Sequence, residues 1–282
     1  MEFKKEDSIV SICIPTYNGA KYIKEAFLSA INQSYRPIEI IISDDNSTDD
    51  TLKIIREIDK PADIAVKIFS HTPSGIGANW NNCIQHASGN YIKFLFQDDT
   101  LVPQCVEKFM NVILAHPNVD FIFSKRKVFT DSNSSLPSDW LSTYANVHSH
   151  WNQLKPIQNG RDLLKDKNFL NVPNNKVGEP ITVLFKKELF IKSGPFSVTL
   201  KQALDYEMWY KMFKYCDVAF IDEELCSFRI HNSQATSINN VNQVREYQKF
   251  ERIILASCFW HLRFIDQLRV IKNITFKFLK IY

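Results

Sequence analysis

Two pairs of adjacent aspartates, Asp44 with Asp45 and Asp98 with Asp99, each follow a short apolar run: Glu39 to Ser43 reads EIIIS and Tyr91 to Phe96 reads YIKFLF. Carboxylates set side by side are hard oxygen donors, the kind that hold Mg²⁺ or Mn²⁺. Apolar runs that both stop at acids read as parallel strands bringing negative charge to one edge of a sheet, the edge where open α/β folds place their ligands. The chemistry this suggests is binding of a nucleotide together with a cation.

The surrounding pattern supplies the elements needed to hold those residues. Ile9 to Ile14 is β-branched and ends at Pro15, as a first buried strand would. Gly19 to Gln33 carries Tyr22, Ile23, Ala26, Phe27, Ala30 and Ile31 on one helical face. After the first acidic pair, Asn46, Ser47, Thr48 and Asp49 offer N-caps for a helix through Leu52, Ile54, Ile55 and Ile58. A strand is predicted over Ala65 to Ser70, a helix over Asn79 to Ala87 and a strand over Tyr91 to Phe96. Beyond the second pair come a helix from Val102 to His116, opened by Pro103, and a strand from Val119 to Ser124. Residues 130 to 176 lose this periodicity and read as an excursion over the sheet edge, the kind of segment that often selects a second substrate. Order resumes with a strand at Ile181 to Phe185, helices around Lys187 to Ser193 and Tyr206 to Tyr215, and a strand at Val218 to Ile221. The alternation predicts an α/β fold with a mostly parallel central sheet flanked by helices.

The 282 residues carry a formal charge of only +3, with 45% hydrophobic and 23% charged residues, which argues against nucleic acid as a partner. The six cysteines are scattered without a CxxC pair and read as buried free thiols in a reducing compartment. Met1 to Ser8 is too charged for a signal peptide, and no window has the apolar length of a membrane span, so a cytoplasmic protein is expected.

Read in order, the segments SICIPTYNGAKYI, EIIISDDNSTDDT, ASGNYIKFLFQDDTLVP, GEPITVLF, LDYEMWYKM and FRIHNSQAT resemble the inverting family 2 glycosyltransferases of the GT-A, Rossmann-like fold. The resemblance runs from about Val10 to about Thr236. It implies a GT-A domain over 1–236, with a nucleotide-binding half at 1–125 and an acceptor or catalytic half at 126–236, followed by a helical extension at 237–282. It implies transfer from a nucleotide-diphosphate sugar, UDP favoured, to a hydroxyl on a saccharide or lipid-linked acceptor, in the setting of bacterial surface polysaccharide assembly. Pro15, Thr16, Tyr17 and Asn18 would line the nucleobase pocket, and Asp44 and Asp45 would accept from the base or ribose. Asp99 would ligate a divalent cation, Mn²⁺ or Mg²⁺, with Asp98 on the ribose or donor sugar. Asp205 corresponds to the catalytic base, Arg229 and His231 to contacts for the diphosphate or metal, and Glu179 to the acceptor side. The chain departs from the family at Gln97, where many members have an acid, and at Trp80, where many have Arg.

After Thr236 the chain reads as helical. Arg263, Arg269, Lys272, Lys277 and Lys280 interleave with Phe264, Ile265, Leu268, Ile271, Phe276, Phe278 and Leu279, a pattern that suits either an anionic membrane surface or packing on the core. Two other readings exist: a sugar-nucleotide-binding relative without catalysis, and a metal-dependent nucleotidyltransferase. The second requires a glycine-rich basic loop where the chain has PTYNGAKYIKEA.

Overall fold

The computed structural model describes residues 8–131, 137–235, 238, 239, 242 and 244–279. Thr236 and Lys280 lie outside the described residues, as does the side chain of Lys277.

The described strands form a single nine-stranded sheet: β1 (Val10–Thr16), β2 (Ile38–Asp44), β3 (Ala65–Ser70), β4 (Tyr91–Phe94), β5 (Thr100–Leu101), β6 (Val119–Thr130), β7 (Ile157–Asn159), β8 (Val183–Lys186) and β9 (Asp217–Ile230). Their spatial order is β3-β2-β1-β4-β8-β6-β9-β5, with β7 also against β9. Strands β1 to β4 pair in parallel, so their C-terminal ends share one edge. β8 runs antiparallel between β4 and β6, and β9 lies parallel to β6. The expected division after residue 125 falls within β6, and strands from both sides of it share this sheet.

Along each strand, side chains alternate between two cores, as strand geometry requires. Ile12, Ile14, Ile40, Ile42 and Leu184 pack against α1 (Ile23–Ile31) and α4 (Cys105–Ala115). Cys13, Ile41, Phe121, Phe123 and Phe185 face the other core, built with α3 (Ile76–His86) and later helices. The first half thus follows its periodicity, including α2 (Thr51–Glu57). All six cysteines are buried and free.

The second half departs from the pattern. β6 and β9 run well past Ser124 and Ile221 through the charged stretches 125–127 and 222–224, with Lys125 opposite Glu224, Arg126 opposite Cys226 and Lys127 opposite Ser227 around an irregular register. Those charges interrupt the apolar signal, yet opposite charges on neighbouring strands support pairing, and Lys125 is salt-bridged to Asp222. The excursion contains α5 (Ser138–Tyr144), β7 and α6 (Gly160–Leu164). It is followed by α7 (Lys187–Ser193), α8 (Leu204–Met212), α9 (Phe250–Ser257) and α10 (Phe264–Leu279). No described helix is long and apolar enough to cross a membrane.

Candidate active site

The parallel register sets Thr16, the last residue of β1, beside Asp44, the last of β2. Thr16 Oγ1 donates to Asp44 Oδ1 at 2.8 Å, Ser47 Oγ donates to the same oxygen at 2.6 Å and Ser47 N to Oδ2 at 2.8 Å. Asp44 is buried, and both of its oxygens hold the turn that follows β2. Asp45 turns the other way: its Oδ1 accepts from Ser74 N at 2.9 Å, its Oδ2 from Gly75 N at 3.2 Å, and His71 Nδ1 lies 3.4 Å off. It thereby fixes the loop that opens α3.

The loop after β1 is fastened to the loop after β2. Asn18 N donates to Ser47 Oγ, Thr48 N to Asn18 Oδ1, Gly19 N to Thr51 Oγ1 and Ala20 N to Asp49 Oδ2, at 2.8 to 3.0 Å. Asn18 and Asn46 adopt positive φ of 47° and 64° at these turns, a conformation Asn tolerates better than most residues. Gln97 fastens the same loop from the other side, accepting from Tyr17 N at 2.9 Å and donating to Tyr17 O at 3.0 Å. A Cβ on Gly19 would lie 2.3 Å from Gln97 Oε1, so this approach requires glycine. Pro15 is buried within β1, while the Tyr17 ring is exposed and open to a planar ligand.

Asp98 and Asp99 lie in the turn between β4 and β5, facing the end of β9. Asp99 is 1% exposed; its Oδ1 accepts from Arg229 N at 2.8 Å, and its Oδ2 is buried with no hydrogen-bond partner. Burial and the neighbouring Asp98 raise its pKa well above the usual carboxylate range. Asp98 Oδ2 meets His231 Nε2 at 2.8 Å, and His231 also borders a cavity of about 220 Å³ lined by Lys21, Asp131 and Ser233. Arg229 is held on several sides: Nε donates to Asp98 O at 2.9 Å, the guanidinium pairs with Glu25 at 2.5 Å and Asp131 at 3.1 Å, and Tyr22 and Phe129 sandwich it. It therefore braces the acidic turn.

Asp98 and His231 make an oxygen and nitrogen donor pair at the cleft, with Asp99 and its unpartnered oxygen beside them. That set fits a divalent cation that takes its remaining ligands from diphosphate oxygens. Among the described residues, no group of three or more His, Cys, Asp and Glu forms a complete cage.

Asp205 sits in the first turn of α8, where its Oδ1 accepts from Tyr206 N at 2.7 Å and its Oδ2 from Asn175 Nδ2 at 2.8 Å. Burial pushes its pKa up to about 7, with Glu179 adding repulsion and the N–H donors opposing the rise. The Asn175 amide cannot usefully flip, since its Oδ1 accepts from Val177 N at 3.0 Å and Gly178 N at 2.9 Å. Lys176 anchors the same loop, burying its ammonium against the carbonyls of Phe169 at 3.1 Å, Pro173 at 2.7 Å and Asn171. Glu179 is salt-bridged to the buried Arg126 on β6. Its charge reaches both Asp99 and Asp205 and adds to the rise in each pKa. Glu207, two residues after Asp205, is paired with Lys211 at 2.5 Å.

Arg126 and Asn175 support the site but were missed in the sequence, and Gln97 was read there only as a departure, because the partners they reach, Glu179, Asp205 and Tyr17, lie far away along the chain. Trp80 is a core residue, its ring within 5.1 Å of Phe96 and Phe196.

The profile of Glycosyl transferase family 2 matches residues 11–191. An uncharacterized glycosyltransferase of Rickettsia prowazekii is 31% identical over 240 residues, 85% of this chain and 69% of that protein. An uncharacterized protein of Mycobacterium tuberculosis is 29% identical over 84% of the chain and 71% of its own length. In fold, the chain is similar to S. aureus TarS 1–349 in complex with UDP-GlcNAc: TM-score 0.65, 21% identity, 88% of this chain and 67% of TarS 1–349. It is also similar to the Pyrobaculum calidifontis mannosyltransferase PcManGT in complex with GDP-Man and Mn²⁺: TM-score 0.61, 18% identity, 88% of this chain and 64% of that one. The central sheet and its flanking helices have the GT-A fold, and the chain belongs to glycosyltransferase family 2.

Proposed function

We propose that the protein transfers a glycosyl group from a nucleotide-diphosphate sugar, UDP favoured, to a hydroxyl acceptor with inversion at the anomeric carbon. The observation that carries this reading is the pairing of Asp98 with His231 beside the buried, unpartnered oxygen of Asp99. Such a group leaves a buried carboxyl oxygen without a donor where a cation and a diphosphate would meet. TarS in complex with UDP-GlcNAc and PcManGT in complex with GDP-Man and Mn²⁺ support a donor and a cation of these classes.

Each residue then has a task. The exposed Tyr17 ring covers the base, and Asp45, at the same sheet edge, accepts from base or ribose in exchange for one of its loop N–H donors. Asp44 and Asn18 hold the loops that form this pocket. Asp98 and His231 would hold the divalent cation, rather than Asp99 as the resemblance implies, because Asp98 meets His231 at the cleft while Asp99 is buried behind them and accepts from Arg229 N. The bound cation supplies Lewis-acid stabilisation of the departing diphosphate. Asp205 takes the proton from the acceptor hydroxyl as that oxygen bonds to the anomeric carbon and the bond to diphosphate breaks on the opposite face. A carboxyl with a pKa of about 7 is suited to this step, because it is ionised just above neutrality and basic enough to accept the proton. Arg229 acts indirectly, fixing the backbone of the Asp98 turn.

Glu179 and the 130–176 excursion border the acceptor, which we assign to the saccharide or lipid-linked class used in bacterial surface polysaccharide assembly. The domain assignment is a catalytic unit over 1–236 and an extension over 237–282. Proton NMR of the product formed from an α-linked UDP-sugar tests the reaction: a β-linkage is expected in wild type, with no product from Asp205→Asn. A retained α-linkage would contradict the single displacement.

A further inference from the structure

Helix α10 is apolar on two faces. Val270 is fully buried, and Ile274 packs beside it against the core that includes α9. On the other face Phe264, Leu268 and Ile271 recur at helical spacing with Ile265 and Phe276 alongside, all exposed. Just before the helix, Trp260 is 83% exposed and Phe264 is 74% exposed. In water a helix normally turns a polar face outward, and a contiguous apolar patch of this kind marks an interaction surface.

The charges around the patch identify the partner. Arg161 on α6 donates from Nε to the carbonyl of Lys214, after α8, at 2.9 Å, and Lys165 follows α6 directly. Burial and these three cations lower the pKa of His261, so they lie near the turn that precedes α10. Arg269 and Lys272 are exposed on α10 itself. The nearby carboxylates are mostly engaged. Asp266 is buried and paired with Arg263 at 2.6 Å, and Asp166 is buried, accepting N–H bonds from Asn152, Gln153 and Asn168. Glu251 accepts from Asn273 at 3.2 Å. Asp162 on α6 is the exposed acid of that stretch. A second copy of the chain docked here would set this cationic rim against itself. Anionic lipid would match both the rim and the apolar centre, and aromatic rings favour the headgroup boundary.

We infer that this face rests on an anionic membrane surface, with Trp260, Phe264, Leu268 and Ile271 entering the headgroup boundary and Arg161, Lys165, Lys214 and Lys272 facing lipid phosphates. The inference does not depend on the proposed reaction. It is tested by co-sedimentation of the full chain with vesicles of equal parts phosphatidylglycerol and phosphatidylcholine, against phosphatidylcholine alone, at low and high salt. Binding to the anionic vesicles that weakens with salt is expected. Lys165→Gln with Lys214→Gln should reduce partitioning roughly thirtyfold. Phe264→Glu with Leu268→Glu should abolish binding while circular dichroism shows an unchanged cooperative melt. Equal binding to both vesicle types, or none by the folded wild type, would overturn the inference. So would a lipid-free dimer by light scattering that Phe264→Glu dissociates, since a second copy would then cover the face.

Discussion

The two acidic pairs at the C-terminal edge of the parallel strands, one closing β2 and one in the turn after β4, look alike in sequence and differ in structure. At Asp44 and Asp45 all four carboxylate oxygens have partners within the protein, from Thr16, Ser47, Ser74 and Gly75. At Asp98 and Asp99 one buried oxygen has none, and another meets a histidine. The first pair uses its charge to organise three loops. The second keeps charge in reserve, at a cost in desolvation that a bound cation would offset. Identical dipeptides at equivalent strand ends can therefore build a pocket in one place and prepare a cation site in another.

The largest effect is expected outside both pairs, at the base. Asp205→Asn should lower turnover by about 10² to 10⁴ while leaving nucleotide affinity, measured by calorimetry, at the wild-type level. Because the ionised carboxylate is the active form, wild-type turnover should fall tenfold per unit as pH drops below about 7 and level off above it. Next comes the structural pair. Asp44→Asn should cost about 1 to 3 kcal/mol of stability in thermal denaturation, with or without nucleotide, because buried donors lose their charged acceptor. If it instead abolished nucleotide binding at unchanged stability, the distinction between the pairs would fail.

Smaller effects should follow the supporting contacts. Asn175→Ala removes a donor from ionised Asp205, so the acid limb of the pH profile should move up by about one unit, with turnover at neutral pH reduced roughly fivefold. An unshifted limb would show that Asn175 only supports the loop. Gln97→Ala should weaken nucleotide binding by about 1 kcal/mol through loosening of the Tyr17 loop. Retention of full affinity would mean that Asp49, Thr51 and Ser47 hold that loop unaided.

The parts of the molecule visible in sequence are those governed by local rules. The buried runs Val10–Thr16 and Ile38–Asp44, and the stripe Ile23, Ala26, Phe27 and Ala30, show the periods of strand and helix directly. The acidic pairs were visible because they end such runs. Asp205 was visible as a motif position, but its raised pKa depends on Glu179 and on the burial of α8, neither of which is local. The extensions of β6 and β9 were hidden because charge neutralisation between strands, as in Lys125 with Asp222, replaces the apolar alternation by which strands are recognised. Gln97 reads as a departure from an acidic motif, yet its amide forms two hydrogen bonds with the Tyr17 backbone that a carboxylate, lacking the N–H donor, could not reproduce. Nothing local in the sequence singles out Arg126, which in the fold is buried and bound to Glu179. Apolar residues stand on both the exposed and the buried side of α10, so sequence alone could not assign its sides.

The most direct test is calorimetric titration of UDP into the wild-type protein and Asp98→Ala, each with Mn²⁺ and with EDTA. Binding by wild type that requires Mn²⁺, and its loss in Asp98→Ala while the variant keeps the wild-type melting midpoint, is the predicted result. Mn²⁺-dependent binding of equal affinity in both proteins would contradict the assignment of the cation to Asp98 and His231.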